Sequence, residues 1–573
     1  MFLPATREEM NALGWDRLDV VLVTGDAYID SPHIGVAVVG KALLRVGFRV
    51  GVVSQPDTSS DMDILRLGEP ALFWGVTGGS IDSMVANYTP LKKRRKSDDY
   101  TPGGMNTRRP DRAVIVYTNL IRRFSRSRAP VVLGGIEASL RRIAHYDFWS
   151  DAVRRSILFD AKADIIVYGM AENPVVELAR RISSGKDHRD LRGICFIGRD
   201  RPDGYEEIPS YEDVSTDMDA FQDMFHAFAR NNDPATGVGF CQRHGDRFLI
   251  HNPPWPVLAG EELDDICALE FEREVHPRDR ALGEVKAMET IRFSITTHRG
   301  CLGRCNFCSI GVHEGTVVVS RSEASILLEA ERIAGHPRFK GIIRDVGGPT
   351  ANMYGMGCTR GAAGSCRDRR CLYPGVCPAL DISHERQTGI LKRLRAIPGI
   401  RKAFVASGIR HDLVCSDVRH GDAYLEELTA HHVSGQLKLA PEHCIPAVLD
   451  RMAKPGTDAL LTFRDAFSRL NRLADRKQFL TYYFLAAHPG CTEEDMKRLR
   501  AYIDRHLKLT PEQVQIFTPT PSTYSTLMYC TGRDPFTGEH IFVERDPRRK
   551  QRQKDILTER KGKAGNERRS QIR

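Results

Sequence analysis

Three cysteines at offsets of four and three, in Thr297-His298-Arg299-Gly300-Cys301-Leu302-Gly303-Arg304-Cys305-Asn306-Phe307-Cys308, put soft thiolate donors on one short connection that can wrap a single inorganic centre. With 14 Cys in 573 residues, composition alone yields that spacing roughly 0.01 times per chain, so chance is not the explanation. A cubane [4Fe-4S] cluster normally takes four thiolates, and three leave one iron without protein sulfur. An open metal position is where chemistry occurs, whereas structural and electron-transfer sites are normally closed by a fourth Cys or His. The simpler competitor is zinc on the same thiols with His298 or His313 as fourth ligand. Zinc sites, however, usually pair short-spaced ligands such as two Cys-x2-Cys arms.

A second group, Cys358, Cys366, Cys371 and Cys377, falls in a stretch rich in Gly and Arg. It has too little apolar content to pack by itself, so something must order it. Four thiols suit a closed zinc site or a second, auxiliary Fe-S cluster, and Arg367, Arg369 and Arg370 would offset the negative charge of either. The competing reading is unligated thiols or a regulatory disulfide. The remaining cysteines are scattered and read as core fillers.

The elements that must position these groups alternate strand and helix. Residues 19–26, 49–54, 72–76, 113–117, 130–135 and 163–169 are short apolar runs, several closed by Gly, that read as buried strands, and Val36, Val39, Leu43 and Leu44 keep helical spacing between the first two. This order argues for a doubly wound parallel sheet over residues 1–195. Ligands in such sheets bind beyond the carboxyl ends of the strands, at Thr24-Gly25-Asp26, Gly134-Gly135-Ile136-Glu137 and Gly169-Met170-Ala171-Glu172. Residues 196–284 have weak periodicity and a Pro cluster at 253–256, and read as a connecting strap. From 285 to 545 strand-helix units recur: strands at 291–297, 341–346, 402–408, 436–440, 481–487 and 513–517, with helices capped by Ser322 and Thr492. The expected architecture is α/β, the doubly wound domain being followed by a partial or complete (β/α) barrel with the thiol loop after its opening strand.

A chain of this length is expected to hold two to four domains. No apolar run reaches the roughly 18 residues needed to span a bilayer, and no basic-then-apolar leader stands at the N-terminus, so no membrane partner is expected. Thiols grouped as ligands imply a reducing compartment, the cytoplasm. Residues 545–573 carry twelve Lys or Arg against four Asp or Glu, so eight of the net +9 charges sit there and the preceding residues are nearly neutral. That segment, from 546 onward, reads as a disordered basic tail whose only binding role would be contact with RNA or another polyanion.

The triad, with Asn306 and Phe307 between its last two cysteines, resembles that of radical S-adenosylmethionine (SAM) enzymes. The first 195 residues resemble the flavodoxin-like, cobalamin-binding-like domain that precedes many such cores. Its cobalt-ligating Asp-x-His-x-x-Gly motif is replaced here by Asp30-Ser31-Pro32-His33-Ile34-Gly35, so bound cobalamin is not expected. Arg299-Gly300-Cys301, residues 345–354, Ala406-Ser407-Gly408-Ile409-Arg410 and Leu439-Ala440-Pro441-Glu442-His443 together look like YgiQ-type radical SAM proteins, over residues 5 to 535. The resemblance implies a TIM-barrel-like core, a [4Fe-4S] cluster on Cys301, Cys305 and Cys308, and contacts to SAM or substrate from Gly347, Gly348, Ser407, Arg410, Lys438 and Glu442. Pro349 stands where the family's Gly-Gly-Glu turn has its acid. The implied activity is reductive SAM cleavage to a 5′-deoxyadenosyl radical acting on a substrate the sequence does not name, with flavodoxin or ferredoxin as electron donor. The alternatives are a methylthiotransferase-like modification of RNA or protein, suggested by the closing loop at 518–523, and a non-catalytic, zinc-stabilised RNA-binding module.

Overall fold

The computed structural model describes residues 1–361, 366 and 369–559. Five of the apolar runs form parallel strands, Val20–Thr24, Val50–Ser54, Phe73–Thr77, Val131–Leu133 and Ile165–Val167, in the spatial order second, first, third, fourth, fifth. Alternate residues serve opposite faces. Val20, Leu22, Val50, Val132 and Ile165 pack with Leu43 and Leu178 of the helices Gly35–Arg45 and Glu172–Ser183. Val21, Val23, Trp74, Leu133 and Ile166 pack on the other side with Tyr117 and Leu158. The sheet is therefore covered on both faces, which is why its strands read as unbroken apolar runs.

Three expectations need correction. Residues 113–117 are not a strand but open the helix Ala113–Phe124, in which Val114, Tyr117, Thr118 and Ile121 are buried at helical spacing; the five-residue run was too short to show the period. The strap contributes to the sheet. Ile194–Gly198, Glu206–Ile208, Phe240–His244 and Arg247–His251 add four strands to its edge, the last two joined by a two-residue Gly245-Asp246 turn with Gly245 at φ +64°. Finally, part of the basic tail is ordered. Pro547–Thr558 is a helix whose N-cap, Asp546, accepts from the Arg549 amide, and whose Lys550, Gln553 and Leu557 form a buried stripe against the second half of the chain. Residues 560–573, the rest of that tail, lie outside the described residues.

The second half is a run of short parallel strands in chain order. Ile295–Thr296 pairs with Val346–Gly347, Ile342–Ile343 with Lys402–Ala403, a bridge joins Ile409 to Leu439, and Gln436–Glu442, Phe479–Ala486 and Gln513–Ile516 form one parallel sheet. Among the described residues the last strand does not pair with the first, so the barrel is partial. Ser322 caps its helix by accepting from the Ser325 amide, and Thr492 forms a capping box with Asp495. No helix is long and apolar enough to cross a membrane among the described residues.

Candidate functional site

The thiol loop leaves the first strand of the barrel through a small hairpin, His298–Arg299 against Val319–Ser320. Gly300 makes the exit: its φ is +80°, and a Cβ there would lie 2.0 Å from the Val317 carbonyl oxygen, so no side chain fits. The far end of the loop is pinned to the helix Pro446–Met452, the Asn306 amide donating to the Met452 carbonyl (3.0 Å) and its side chain to that of Arg451 (2.8 Å).

Between these anchors the loop is concave. A Cβ on Gly303 would sit 3.3 Å from Cys301 Sγ and 3.6 Å from Cys305 Sγ, so the glycine keeps the space between two thiols clear. Burial pushes the Cys308 thiol well up, reinforced by Cys305, and pushes Cys301 up against an opposing contact from the Thr350 hydroxyl, 3.4 Å from its sulfur. Thiols so placed stay protonated until a cation takes the proton's place. Among the described residues no three His, Cys, Asp or Glu converge as the ligands of one ion must. The thiolates of a cubane have no such requirement, because each binds a different iron. The two histidines weighed as a fourth zinc ligand are occupied elsewhere: His298 bonds the Thr350 carbonyl and the Thr297 hydroxyl, and His313 bonds Ser139 of the first domain at 3.0 Å.

Several strand-end residues from the barrel meet at this concavity. Gly347 receives the Thr297 amide (2.7 Å), and a Cβ on Gly348 would clash with His298 at 2.5 Å, so the Gly-Gly turn is what lets residues 348–350 close on Cys301. Arg410 reaches the thiols. Burial works against its charge, but Asp412, held by its Nε at 2.8 Å, and the Cys305 and Cys301 thiols favour the guanidinium cation. Glu442 lies close enough to weigh on Cys308; burial pushes its carboxyl up, against Lys454 and Arg410, and its φ of +66° is a strained conformation for a non-glycine residue. Along Gln436–Glu442 buried and half-exposed residues alternate, Lys438 being half-exposed, but the pairing register shifts between Leu439 and Glu442, so Lys438 and Glu442 are not fixed to one face. Ser407 differs from the rest: its hydroxyl and amide both donate to Asp345. The second group of cysteines is adjacent. Cys358, Cys371 and Cys377 share a small apolar cluster with Cys301 and Leu302, and the Cys366 carbonyl accepts from Arg304 (3.2 Å).

Behind the loop, a cavity of 320 Å³ separates the two halves. One wall is the carboxyl edge of the parallel sheet, with Thr24, Asp26, Gly134, Gly135 and Gly169; the other is the barrel's Arg299, His313 and Glu314. It opens at the point where strand order reverses, between Val20–Thr24 and Phe73–Thr77. The sheet-edge wall was legible in the sequence. The barrel wall was missed, although its residues flank the thiol loop on either side. His33 contributes to the lining but turns its Nε2 to the Ser294 carbonyl at 3.1 Å.

A radical SAM N-terminal family model matches residues 2–294, and a domain of unknown function, DUF3362, matches residues 512–563. A UPF0313 protein of Fusobacterium nucleatum subsp. nucleatum is 51% identical, covering 98% of this chain and 99% of its own length. One from Thermotoga maritima is 48% identical over 98% of this chain and 100% of its own length. Among solved structures, the cobalamin-dependent S-adenosylmethionine radical enzyme OxsB with aqua-cobalamin and S-adenosylmethionine bound aligns with a TM-score of 0.50 at 11% identity, over 92% of this chain and 57% of that one. That likeness is one of fold.

Proposed function

This chain belongs to the UPF0313 family of radical SAM proteins, and from that premise we propose that Cys301, Cys305 and Cys308 hold a [4Fe-4S] cluster whose remaining iron takes S-adenosylmethionine. The observation that carries the reading is the close approach at Gly303, where the Cys301 and Cys305 sulfurs and the Arg410 guanidinium would lie 3.3, 3.6 and 3.5 Å from a Cβ. Such a centre, held by Cys301, Cys305 and Cys308, would supply the electron for breaking a sulfonium carbon–sulfur bond, and the resulting 5′-deoxyadenosyl radical would abstract hydrogen from a substrate.

The chain's own residues do the rest. Arg410, fixed by Asp412, sets a buried positive charge against the thiolates and so favours their ionised form. The backbone at Gly347-Gly348 packs against Ala351 and His298 with no room for a side chain, which brings Thr350 beside Cys301. Glu442, beside Arg410 and Cys308, would orient a bound SAM or substrate, and Lys438 is half-exposed on the same strand. The cavity between sheet and loop has the size of a small-molecule site, about 300 Å³ or more. Its apolar walls of Val36, Val132 and Met170, with Asp26, Ser80, His313 and Glu314 also in the lining, suit a small molecule with both apolar and polar parts. The electron comes from a reduced flavodoxin or ferredoxin.

Electron paramagnetic resonance on the anaerobically reconstituted, reduced protein tests this. A cluster signal that shifts on adding SAM supports an open iron. A spectrum in which no component responds to SAM means that no iron is open and overturns the reading.

A further inference from the structure

We propose that Cys358, Cys366, Cys371 and Cys377 bind a second iron–sulfur cluster, packed directly against the loop that carries the first. The claim that a second centre exists stands on its own geometry; only its description as auxiliary rests on the function proposed above.

Three of these thiols are gathered by the backbone. Cys358 lies in Gly357–Cys358, paired antiparallel with Leu380–Asp381 so that Cys358 faces Leu380. The Leu380 amide donates to the Cys377 carbonyl (3.0 Å), and the Cys377 amide donates to the Cys371 carbonyl (2.8 Å). Backbone hydrogen bonds therefore link three cysteines of one short segment. The fourth, Cys366, is held through its carbonyl by Arg304, a residue of the triad loop, and Arg370 returns a hydrogen bond to the Arg304 carbonyl (2.9 Å). The two loops are thus stitched together from both sides.

The packing has a direction. Cys371, Leu372 and Leu380 are buried with Leu302, Met353 and Met356, with Cys301, Cys358 and Cys377 at the margin of the same cluster. Thr359, Arg360, Arg369 and Pro374 are exposed on the outer side. The loop presents sulfur inward and positive charge outward. A segment this poor in apolar residues gains little from burial, and a metal centre would supply the ordering energy that its seven-residue apolar cluster lacks.

Iron–sulfur is favoured over zinc by spacing: the offsets of eight, five and six residues lack the short-spaced pairs of zinc arms.

The test is metal and sulfide analysis of the full chain after anaerobic reconstitution, on wild type, on Cys301→Ala/Cys305→Ala/Cys308→Ala and on Cys371→Ser/Cys377→Ser. The expected result is about eight iron and matching sulfide per chain in wild type, and about half in each variant. The triad variant leaves the second loop untouched, so its retained iron, with a Mössbauer spectrum of a thiolate-bound cluster, reports the second centre even if the other variant fails to fold. A triad variant without iron overturns the proposal, and so does zinc in place of iron. If the triad variant instead keeps all its iron while Cys371→Ser/Cys377→Ser loses it, the second centre stands and the function assigned to the triad falls.

Discussion

Arg299 and Glu172 form an ion pair at 2.8 Å with both side chains almost withdrawn from solvent. Arg299 stands two residues before the first thiol of the triad, and Glu172 opens a helix of the first domain. The pair therefore ties the thiol loop to the sheet across the cavity they both line. Removing one partner of a buried pair strands the other charge, at a cost of about 3–5 kcal/mol. Arg299→Met is expected to lower the melting temperature by several degrees, and Arg299→Met/Glu172→Met to recover part of the loss. Differential scanning calorimetry on the two variants measures it; equal losses would mean that the pair does not join the halves.

Gly300 and Gly303 do different work, and alanine at each separates them. At Gly300 the new Cβ meets a backbone carbonyl at 2.0 Å and the φ is positive, so Gly300→Ala should abolish iron loading outright. At Gly303 the new Cβ is 3.3 Å from a thiol, and Gly303→Ala should reduce iron content without eliminating it. Both should keep the far-ultraviolet circular dichroism of the parent. Full iron in Gly300→Ala would show that the loop takes another path.

Acid should loosen the protein before its carboxylates titrate. Burial pushes His145 and His443 down to about 4, so both remain neutral when folded while the unfolded chain protonates near pH 6.5. Between those values the unfolded state binds more protons, and stability falls as pH falls, by at most about 1.4 kcal/mol per pH unit per histidine. Thermal melts from pH 7.5 to 4.5 should show this decline, flatter in His443→Gln. A melting temperature that holds steady down to pH 5 would contradict it.

The ordered part of the basic segment makes a stability contribution of its own. Leu557 is fully buried, and Gln553 accepts from the Ala487 amide at 2.9 Å. Leu557→Ala should cost about 2–5 kcal/mol through the cavity it leaves, seen as earlier protease cleavage near residue 546. Unchanged proteolysis would mean the helix is not docked.

What the sequence made legible follows from how locally each feature is encoded. The five parallel strands are short apolar runs because both their faces are buried, and the caps at Ser322 and Thr492 are side chains that bond amides three residues on. The triad loop shows because thiol spacing is local too. The helix Ala113–Phe124 was hidden because its first five residues are also a good strand, and only the burial of Leu120 and Ile121 reveals the longer period. The helix Pro547–Thr558 was hidden by charge: its buried stripe is Lys550, Gln553 and Leu557, two of them polar. Contacts between the halves, such as His313 with Ser139 or Arg299 with Glu172, leave no local trace at all. The same holds for Ser407, whose hydroxyl goes to Asp345 in another strand-end turn.

The central claim is that the open corner created by Cys301, Cys305 and Cys308 cleaves SAM. Anaerobic incubation of the reconstituted protein with dithionite and SAM, followed by chromatographic measurement of 5′-deoxyadenosine, tests it most directly. The account predicts 5′-deoxyadenosine from wild type and none above background from Cys301→Ala, Cys305→Ala or Cys308→Ala; equal amounts from wild type and the three variants would contradict it.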